Sequence, residues 1–233
     1  MKYLKDPADI QDADSAEDGQ EPTILLERRA GDLRLQLGDL PAGQMVRAET
    51  LLELGHVLLR LSRMPDVWST AQEAFDIFRA HDAWEGAIQA LDLMYLSDQP
   101  ESLAALGQAI WLAVTFPVDA ELTVAMLEHV IEETPPESDG AAVAATVAHY
   151  IADMRAAEKD RENLLFYTNQ MLATVARRHG KVREQADFDA WFKKLELHDP
   201  ALFLPRLRNV VDVLVQDDWW IDRDAIHSKL PVN

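Results

Sequence analysis

The chain has 233 residues, of which 48% are hydrophobic and 27% are charged, which is typical of a soluble globular protein large enough to bury a core. It contains no cysteine, which excludes disulfides, thiolate metal ligands and a cysteine nucleophile, and which favours a cytoplasmic location. A formal net charge of −19 repels phosphate backbones, so the sequence predicts no nucleic-acid binding. No apolar run approaches the roughly 18 to 20 residues of a membrane helix, and no secretory signal is evident at the start.

Residues 1–22 are predicted to form a disordered acidic tail. The stretch 6–22 holds seven acidic residues, no basic ones and almost no large apolar side chains. Such a segment cannot bury enough apolar surface to offset the entropy of ordering. It serves solubility, or it docks on a basic partner or on the chain's own basic stretch near residues 177–208.

The stretch 23–39 permits two interpretations. Leu33, Leu35 and Leu37 alternate as in a half-buried strand, and Gly31 would lie in the turn of a hairpin. The same stretch also fits a helix. We favour the helix, because no other segment of the chain offers a strand with which to pair.

From about residue 42 onward, the spacing of apolar residues predicts about ten helices of roughly 13 to 20 residues. Pairing the helices in order gives units that begin near residues 42, 82, 118 and 160, a period of about 40. We therefore expect residues 23–233 to form a single all-α domain. Its predicted architecture is a right-handed array of antiparallel helix pairs, an α-solenoid with C-terminal capping helices. The predicted breaks between helices fall at Pro65, 97–100, Pro117, 134–140, Gly180 and Pro200.

Several acidic residues have the sequence context of helix N-caps. Asp82 and Asp98 each precede a glutamate by three positions, as in a capping box. Asp199 precedes a proline, which suits the first helical position. Asp160 and Asp187 are predicted caps for the same reason, and Asp222 is predicted to cap the last helix.

The first predicted pair carries a recognisable set of small and apolar residues: Leu51, Leu54, Gly55 and Leu58, then Ala71 and Phe75. In this arrangement the chain resembles the tetratricopeptide repeat family, with Gly55 and Ala71 allowing close approach of helix backbones. The link between the two helices is longer than the family pattern. A second Leu-x-x-Leu-Gly-x-x-Ile motif, at 103–110, falls on a second helix where the family has it on a first. The resemblance implies a concave surface that binds peptides or proteins, without catalysis.

The leading functional hypothesis is thus a non-enzymatic scaffold, adaptor or assembly factor. Its acidic surface predicts a basic protein or peptide as partner. The predicted lining of the concave face consists of Glu53, His56, Trp68 and Trp84. No cofactor or bound metal is expected on this hypothesis.

Two further clusters are candidate contacts. Trp219 and Trp220 are adjacent, so their side chains point in different directions, and one of them is a candidate for contact with a partner or a second copy of the chain. Arg177 and Arg178 fit a helix C-terminus closed by Gly180, where basic side chains complement the helix dipole. The alternative is that these two arginines bind an anion or an acidic partner.

An all-helical metal-dependent enzyme is the alternative hypothesis. Glu53 and His56 have the Glu-x-x-His spacing of di-iron bundles, although the chain has no second such motif. His56 with His81 and Asp82 also resembles the order of metal ligands in HD-type phosphohydrolases. Residues 217–222, Asp-Asp-Trp-Trp-Ile-Asp, have the form of a magnesium motif, but they also fit the end of one helix and the start of the next. A second alternative, an acidic mimic of nucleic acid, rests only on the net charge.

Overall fold

The computed structural model describes residues 2–4 and 23–229. Within these residues all the regular secondary structure is α-helical, as predicted, and there is no strand. Residues 5–22, which hold most of the predicted acidic tail, lie outside the described residues. The helices are α1 (Thr23–Asp39), α2 (Met45–Arg60), α3 (Met64–Ala80), α4 (Trp84–Leu96), α5 (Ser102–Thr115), α6 (Ala120–Glu133), α7 (Asp139–Arg155), α8 (Glu158–Gly180), α9 (Gln185–Lys194), α10 (Pro200–Val215) and α11 (Arg223–Lys229).

The stretch 23–39 is one continuous helix rather than a hairpin. Leu26, Ala30, Leu33 and Leu37 are buried, at spacings of three and four residues that place them on one face. Leu35 remains 75% exposed, so the alternation of leucines does not correspond to two faces of a sheet. The helical interpretation is confirmed.

The array of helix pairs is also confirmed. The first helices of the pairs, α2, α4, α6 and α8, begin at residues 45, 84, 120 and 158, within three residues of the predicted starts. From α1 to α8 each helix packs against the next. The turns are short, so successive helices run antiparallel. Among the described residues, no helix is both long enough and apolar enough to cross a membrane.

The predicted capping boxes at Asp82 and Asp98 are wrong. Both residues have positive φ angles, 53° and 51°, and lie in the turns that end the preceding helices. After α3, the N–H of Ala83 donates to the Phe78 carbonyl at 2.9 Å, as in a Schellman motif. Because the link is so short, the aspartate takes the left-handed position that closes α3, a conformation that aspartate tolerates better than most residues. The residue before α4 is therefore Ala83.

Other predicted caps had mixed outcomes. Asp199 and Asp222 accept backbone N–H groups two and three residues further on, each at 2.9 Å, which confirms both caps. Asp160 and Asp187 lie inside α8 and α9, so those two predictions were wrong. Asp119, which was not predicted, caps α6 by accepting the N–H two residues on at 2.7 Å.

Two glycines permit close contact between helices. A Cβ atom on Gly55 would lie 2.7 Å from Leu93 Cδ1 on α4, which confirms that Gly55 lets another helix approach α2. A Cβ atom on Gly107 would lie 2.4 Å from Val215 Cγ2. The helix that approaches Gly107 is thus α10, from the C-terminal part of the chain, and not a neighbouring member of the array.

The C-terminal part of the chain folds back across the array. α10 packs against α5 and α7, and the residues after it reach α3, where Trp220 lies edge-on to Trp68 at a centroid distance of 5.9 Å. We call residues 200–222 the C-terminal strap. The sequence suggested that the C-terminal helices cap the end of the array. In the structure α9 lies against α8, whereas the strap crosses the second helices of three successive pairs.

Polar contacts and small side chains hold the strap in place. Gln108 on α5 is fully buried, and its side-chain oxygen accepts the Trp220 N–H at 2.7 Å. Arg79 on α3 donates to the Trp220 carbonyl at 2.5 Å. α7 lies between α6, α8 and the strap, and six buried alanines keep it narrow enough to be packed from these sides: Ala141, Ala142, Ala144, Ala145, Ala148 and Ala152.

Candidate binding surface on the first helices

The first helices of the pairs share one face of the array. α2 contacts α4, and α6 contacts α8, although neither pair is adjacent in sequence. Side chains bridge α4 and α6 as well. We call the surface formed by α2, α4, α6 and α8 the first-helix face.

A cluster of polar and aromatic side chains joins α4 to α6. His129 Nε2 lies 3.1 Å from Asp92 Oδ1, and the imidazole packs on the Tyr95 ring at a centroid distance of 4.6 Å. The Tyr95 hydroxyl donates to Glu133 at 2.8 Å. On its other side, His129 Nδ1 lies 3.6 Å from a carboxylate oxygen of Glu132. His129 is therefore placed between two carboxylates.

A second tyrosine–glutamate hydrogen bond joins α6 to α8. The Tyr167 hydroxyl on α8 donates to Glu128 on α6 at 2.5 Å. Burial, together with the hydrogen bond to Glu128, holds the pKa of Tyr167 well above its usual range. Burial and Glu133 do the same for the pKa of Tyr95. Both phenols are therefore neutral at physiological pH, and each donates a hydrogen bond to a carboxylate.

Within this face, the negative charge of α4 and α6 is not balanced by lysine or arginine on the same two helices. α4 and α6 together contain six carboxylates and no lysine or arginine: Glu85, Asp92, Glu121, Glu128, Glu132 and Glu133. Within the described part of the chain, none of the six forms an ion pair with a lysine or arginine. Tyrosines, backbone N–H groups and His129 are their partners instead. Because neutral donors position most of these carboxylates, their negative potential extends into solvent and attracts cations.

The protonation of His129 should make stability depend on pH. Burial acts to lower the pKa of His129, but the hydrogen bond and charge of Asp92, with Glu132, outweigh it and raise the pKa above 6.5. A folded-state pKa above the unfolded value means that the protonated pair stabilises the fold at low pH and that this contribution is lost as pH rises through the folded pKa. We therefore expect Asp92→Asn to reduce the free energy of unfolding more at about pH 6 than at about pH 8.

The test combines urea unfolding at both pH values with NMR titration of the His129 ring proton. In the wild type the ring should titrate above 6.5, and in Asp92→Asn its pKa should fall. Glu184→Gln, which removes an exposed charge far from α4 and α6, is the control and should leave the pH dependence unchanged. An equal cost of Asp92→Asn at the two pH values would contradict the role of the pair.

Two of the predicted lining residues, Glu53 and His56, lie on the first-helix face but do not converge. The Glu53 carboxylate pairs with Arg29 on α1, at 3.0 Å from Nε. His56 has an exposed outer edge, yet desolvation by the neighbouring protein lowers its pKa, with the charge of Asp92 on α4 acting in the opposite direction. Glu53 thus belongs to the contact between α1 and α2, whereas His56 lies within the electrostatic influence of Asp92 on α4.

The four tryptophans that were predicted to line the concave face or to contact a partner all pack against other side chains of the same chain. Trp68 lies on α3, a second helix, against Trp220 of the strap. Trp84 stacks on Phe116 at a centroid distance of 4.6 Å, so its ring covers the end of α5. The Arg223 guanidinium lies 3.8 Å above the Trp219 ring. All four tryptophans are half-buried, and the structure does not gather them into one surface.

The predicted basic pair lies at the end of α8. Arg177 is exposed and donates to Thr174 at 3.1 Å. Arg178 donates to the Ile131 carbonyl near the end of α6 at 2.6 Å. These contacts fit the helix-terminal interpretation. The left-handed residue after α8 is Lys181 rather than Gly180, and a Cβ atom on Gly180 would lie 2.4 Å from the Trp191 ring.

The residues suggested as metal ligands are dispersed. His81 ends α3, with Nδ1 at 2.9 Å from the Ile77 carbonyl oxygen, and Asp82 occupies the following turn. Asp218 accepts the indole N–H of Trp220 at 3.1 Å, while Asp222 caps α11. The described residues contain no group of three or more histidine, cysteine, aspartate and glutamate side chains placed to hold a metal ion.

Most of the contacts that join α4, α6 and α8 were not predictable from the sequence. Asp92, Tyr95 and Glu128 are separated from their partners by 37 to 39 residues, a distance that local patterns do not bridge. One signal was present. Glu121, Glu128 and Glu132 recur at helical spacing on α6, and neither α6 nor α4 contains a lysine or arginine.

Comparisons with models of protein families, with curated proteins and with solved structures find no match to this chain. The chemistry of the first-helix face is therefore the basis for proposing a function.

Proposed function

We propose that this protein is a non-enzymatic helical-repeat scaffold, of tetratricopeptide-like construction, that binds a basic segment of another protein or peptide on the first-helix face. The observation that supports this proposal is the set of six carboxylates on α4 and α6, which have no lysine or arginine beside them on either helix. Adaptor and assembly factor are both consistent with such a binding surface.

The carboxylates are already ordered before any partner arrives. Tyr95 holds Glu133, and Tyr167 holds Glu128, each through a hydrogen bond from a neutral phenol. A partner's lysine or arginine then pairs with a carboxylate whose rotamer is fixed, which lowers the entropy cost of association. Charge complementarity of this kind contributes to specificity and to the rate of association.

We expect binding to follow the charge of the ligand. Three labelled peptides of equal length, one with a clear net positive charge, one neutral and one negative, would be titrated against the full chain by fluorescence anisotropy. Only the positive peptide should bind, and its affinity should fall steeply between about 50 and about 500 mM salt as the charges are screened. The triple variant Glu128→Gln, Glu132→Gln and Glu133→Gln should weaken binding about tenfold or more.

The control variant carries Glu184→Gln, Glu196→Gln and Asp224→Asn. It removes the same number of charges from exposed positions outside α4 and α6. Its affinity for the positive peptide should stay close to that of the wild type. If both triple variants weakened binding equally, attraction by the net charge alone would explain the result, and the proposed site would be wrong.

A further inference from the structure

The segment Lys2–Leu4 lies at one end of the first-helix face, against the starts of α4 and α6. One carboxylate oxygen of Glu121 accepts two successive backbone N–H groups, that of Tyr3 at 2.5 Å and that of Leu4 at 3.1 Å. The Leu4 side chain is only 7% exposed and belongs to the hydrophobic core. The segment is therefore held by its backbone and by an apolar anchor together.

The side chain of Tyr3 is recognised by α4. Its hydroxyl donates to Glu85 at 3.3 Å and accepts from Gln89 Nε2 at 3.2 Å, a pairing that uses both capacities of a phenol. The Lys2 ammonium donates to the same hydroxyl at 2.6 Å and lies close enough to Glu85 and Asp119 to interact with their charges. Lys2 thus brings a cation to helices that carry no lysine or arginine of their own.

The residues that hold the segment continue into the acidic cluster. Glu85, Gln89 and Asp92 are spaced by four and three residues and so share one side of α4. Glu121 and Glu128 are seven residues apart, so they lie on the same side of α6, about 10 Å apart along the helix axis. The segment therefore covers one end of the acidic surface.

We propose that residues 2–4 act as an intramolecular ligand of the first-helix face, and that this face takes partner segments of the same chemistry: a basic residue, then an aromatic residue with a hydroxyl group, then leucine. The inference rests on the proposed function, since it names the ligand class of the same face. Glu121 accepts hydrogen bonds from two backbone N–H groups of the segment, and Glu85 and Gln89 form hydrogen bonds with the tyrosine hydroxyl. The leucine side chain is buried. Because the resident segment is tethered, its effective concentration is high, and a partner must displace it.

The probe is a synthetic Lys-Tyr-Leu peptide blocked at both ends, added to the full chain and followed by NMR. The double variant Tyr3→Ala, Leu4→Ala loses these contacts and leaves the site on α4 and α6 free, so we expect the peptide to bind about tenfold more tightly than it binds the wild type. In the wild type, the peptide at high concentration should shift the amide signals of Tyr3 and Leu4 as they leave Glu121. This second readout requires no substitution and does not depend on the variant's stability.

Two matched comparisons locate the contacts. In the double variant, Glu121→Gln should weaken peptide binding about tenfold, because hydrogen bonds to a charged acceptor are stronger than those to a neutral one, whereas Glu184→Gln should not weaken it. A Lys-Phe-Leu peptide should bind about fivefold more weakly than Lys-Tyr-Leu, because it lacks the hydroxyl read by Glu85 and Gln89.

Equal affinity for wild type and double variant, with no shift of the Tyr3 and Leu4 signals, would overturn the inference, as would binding that Glu121→Gln does not change. Failure of Lys-Tyr-Leu to bind either protein would overturn the ligand class. If the net-positive peptide still bound through Glu128, Glu132 and Glu133, the proposed function would stand without the inference. If Lys-Tyr-Leu bound through Glu121 while the positive peptide was indifferent to the α6 carboxylates, the proposed charge-based function would be wrong instead.

Discussion

Replacing Trp220 with alanine is expected to lower the free energy of unfolding by about 3 kcal/mol, the lower end of the usual range for tryptophan because the ring is half-buried. The indole lies edge-on to Trp68 and to Phe75, at centroid distances of 5.9 and 6.3 Å. Its removal leaves a cavity between α3 and the strap. Urea unfolding followed by circular dichroism measures the loss, and hydrogen exchange at the amides of residues 200–222 shows whether the strap has loosened.

Trp84→Ala is the matched control for this prediction. Trp84 is also half-buried and stacked on an aromatic ring, but it lies at the start of α4, and its ring contact is with Phe116 rather than with the strap. It should lower the free energy of unfolding without raising hydrogen exchange in the strap. If Trp220→Ala left exchange in the strap unchanged, the proposed anchoring by this ring would be wrong.

Gly107→Ala is the second large effect that we expect, with a loss of about 1 to 3 kcal/mol from overpacking. Alanine would ordinarily stabilise a helix by about 1 kcal/mol relative to glycine. Here its methyl group would lie 2.4 Å from Val215 Cγ2 and 3.1 Å from Leu214 Cβ, so α10 must move away from α5. Val215 is β-branched and has little rotamer freedom with which to relieve the clash.

Gly31→Ala is expected to change the free energy of unfolding in the opposite direction. Gly31 lies in the middle of α1, and no atom outside its own helix lies within 4 Å of the position that an added methyl group would take, so only the gain in helix propensity remains. We expect this variant to be more stable by about 0.5 to 1 kcal/mol. Measured side by side in urea, the two glycine variants should shift the unfolding midpoint in opposite directions, and equal stabilisation by both would show that α10 does not rest on Gly107.

The helical array was predictable because its signals are local. The starts of α2, α4, α6 and α8 followed from apolar spacing and from breaks within a few residues of each start. The aspartates of the short turns were harder to assign, because Asp82 can close the helix before it or cap the helix after it. The outcome depends on the exact length of the turn, and helix ends cannot be placed to within one residue from the sequence.

Contacts between distant parts of the chain were not predictable in the same way. The Leu-x-x-Leu-Gly motif at 103–107 is recognisable in the sequence, but nothing in it indicates that Gly107 faces Val215, 108 residues further on. The tandem Trp219 and Trp220 suggested an external partner, since both rings could not enter one core. The structure places each against a different ring of the same chain, Trp111 and Trp68 respectively.

The same limit applies to the candidate site. The spacing of His56 from Glu53 predicts that the two act together, yet the charge that acts on His56 is that of Asp92 on α4, and Glu53 pairs with Arg29 on α1. The sequence does not indicate that Lys2–Leu4 binds to the helices, because these three residues form no recognisable motif. Their role depends on Glu121, more than a hundred residues away in sequence.

In most helical-repeat proteins each unit touches only its neighbours, so a pair of helices can be added or removed while the remainder is preserved. The C-terminal strap removes that freedom from this protein. α10 has 16 residues, about 24 Å of helix, and it must contact α7 near one end and α5 at the other before Trp220 reaches α3. Duplicating or deleting a pair between α3 and α7 would displace one anchor by a whole repeat. The number of helix pairs that the strap crosses is thus limited by the length of α10. A change in one would require a change in the other.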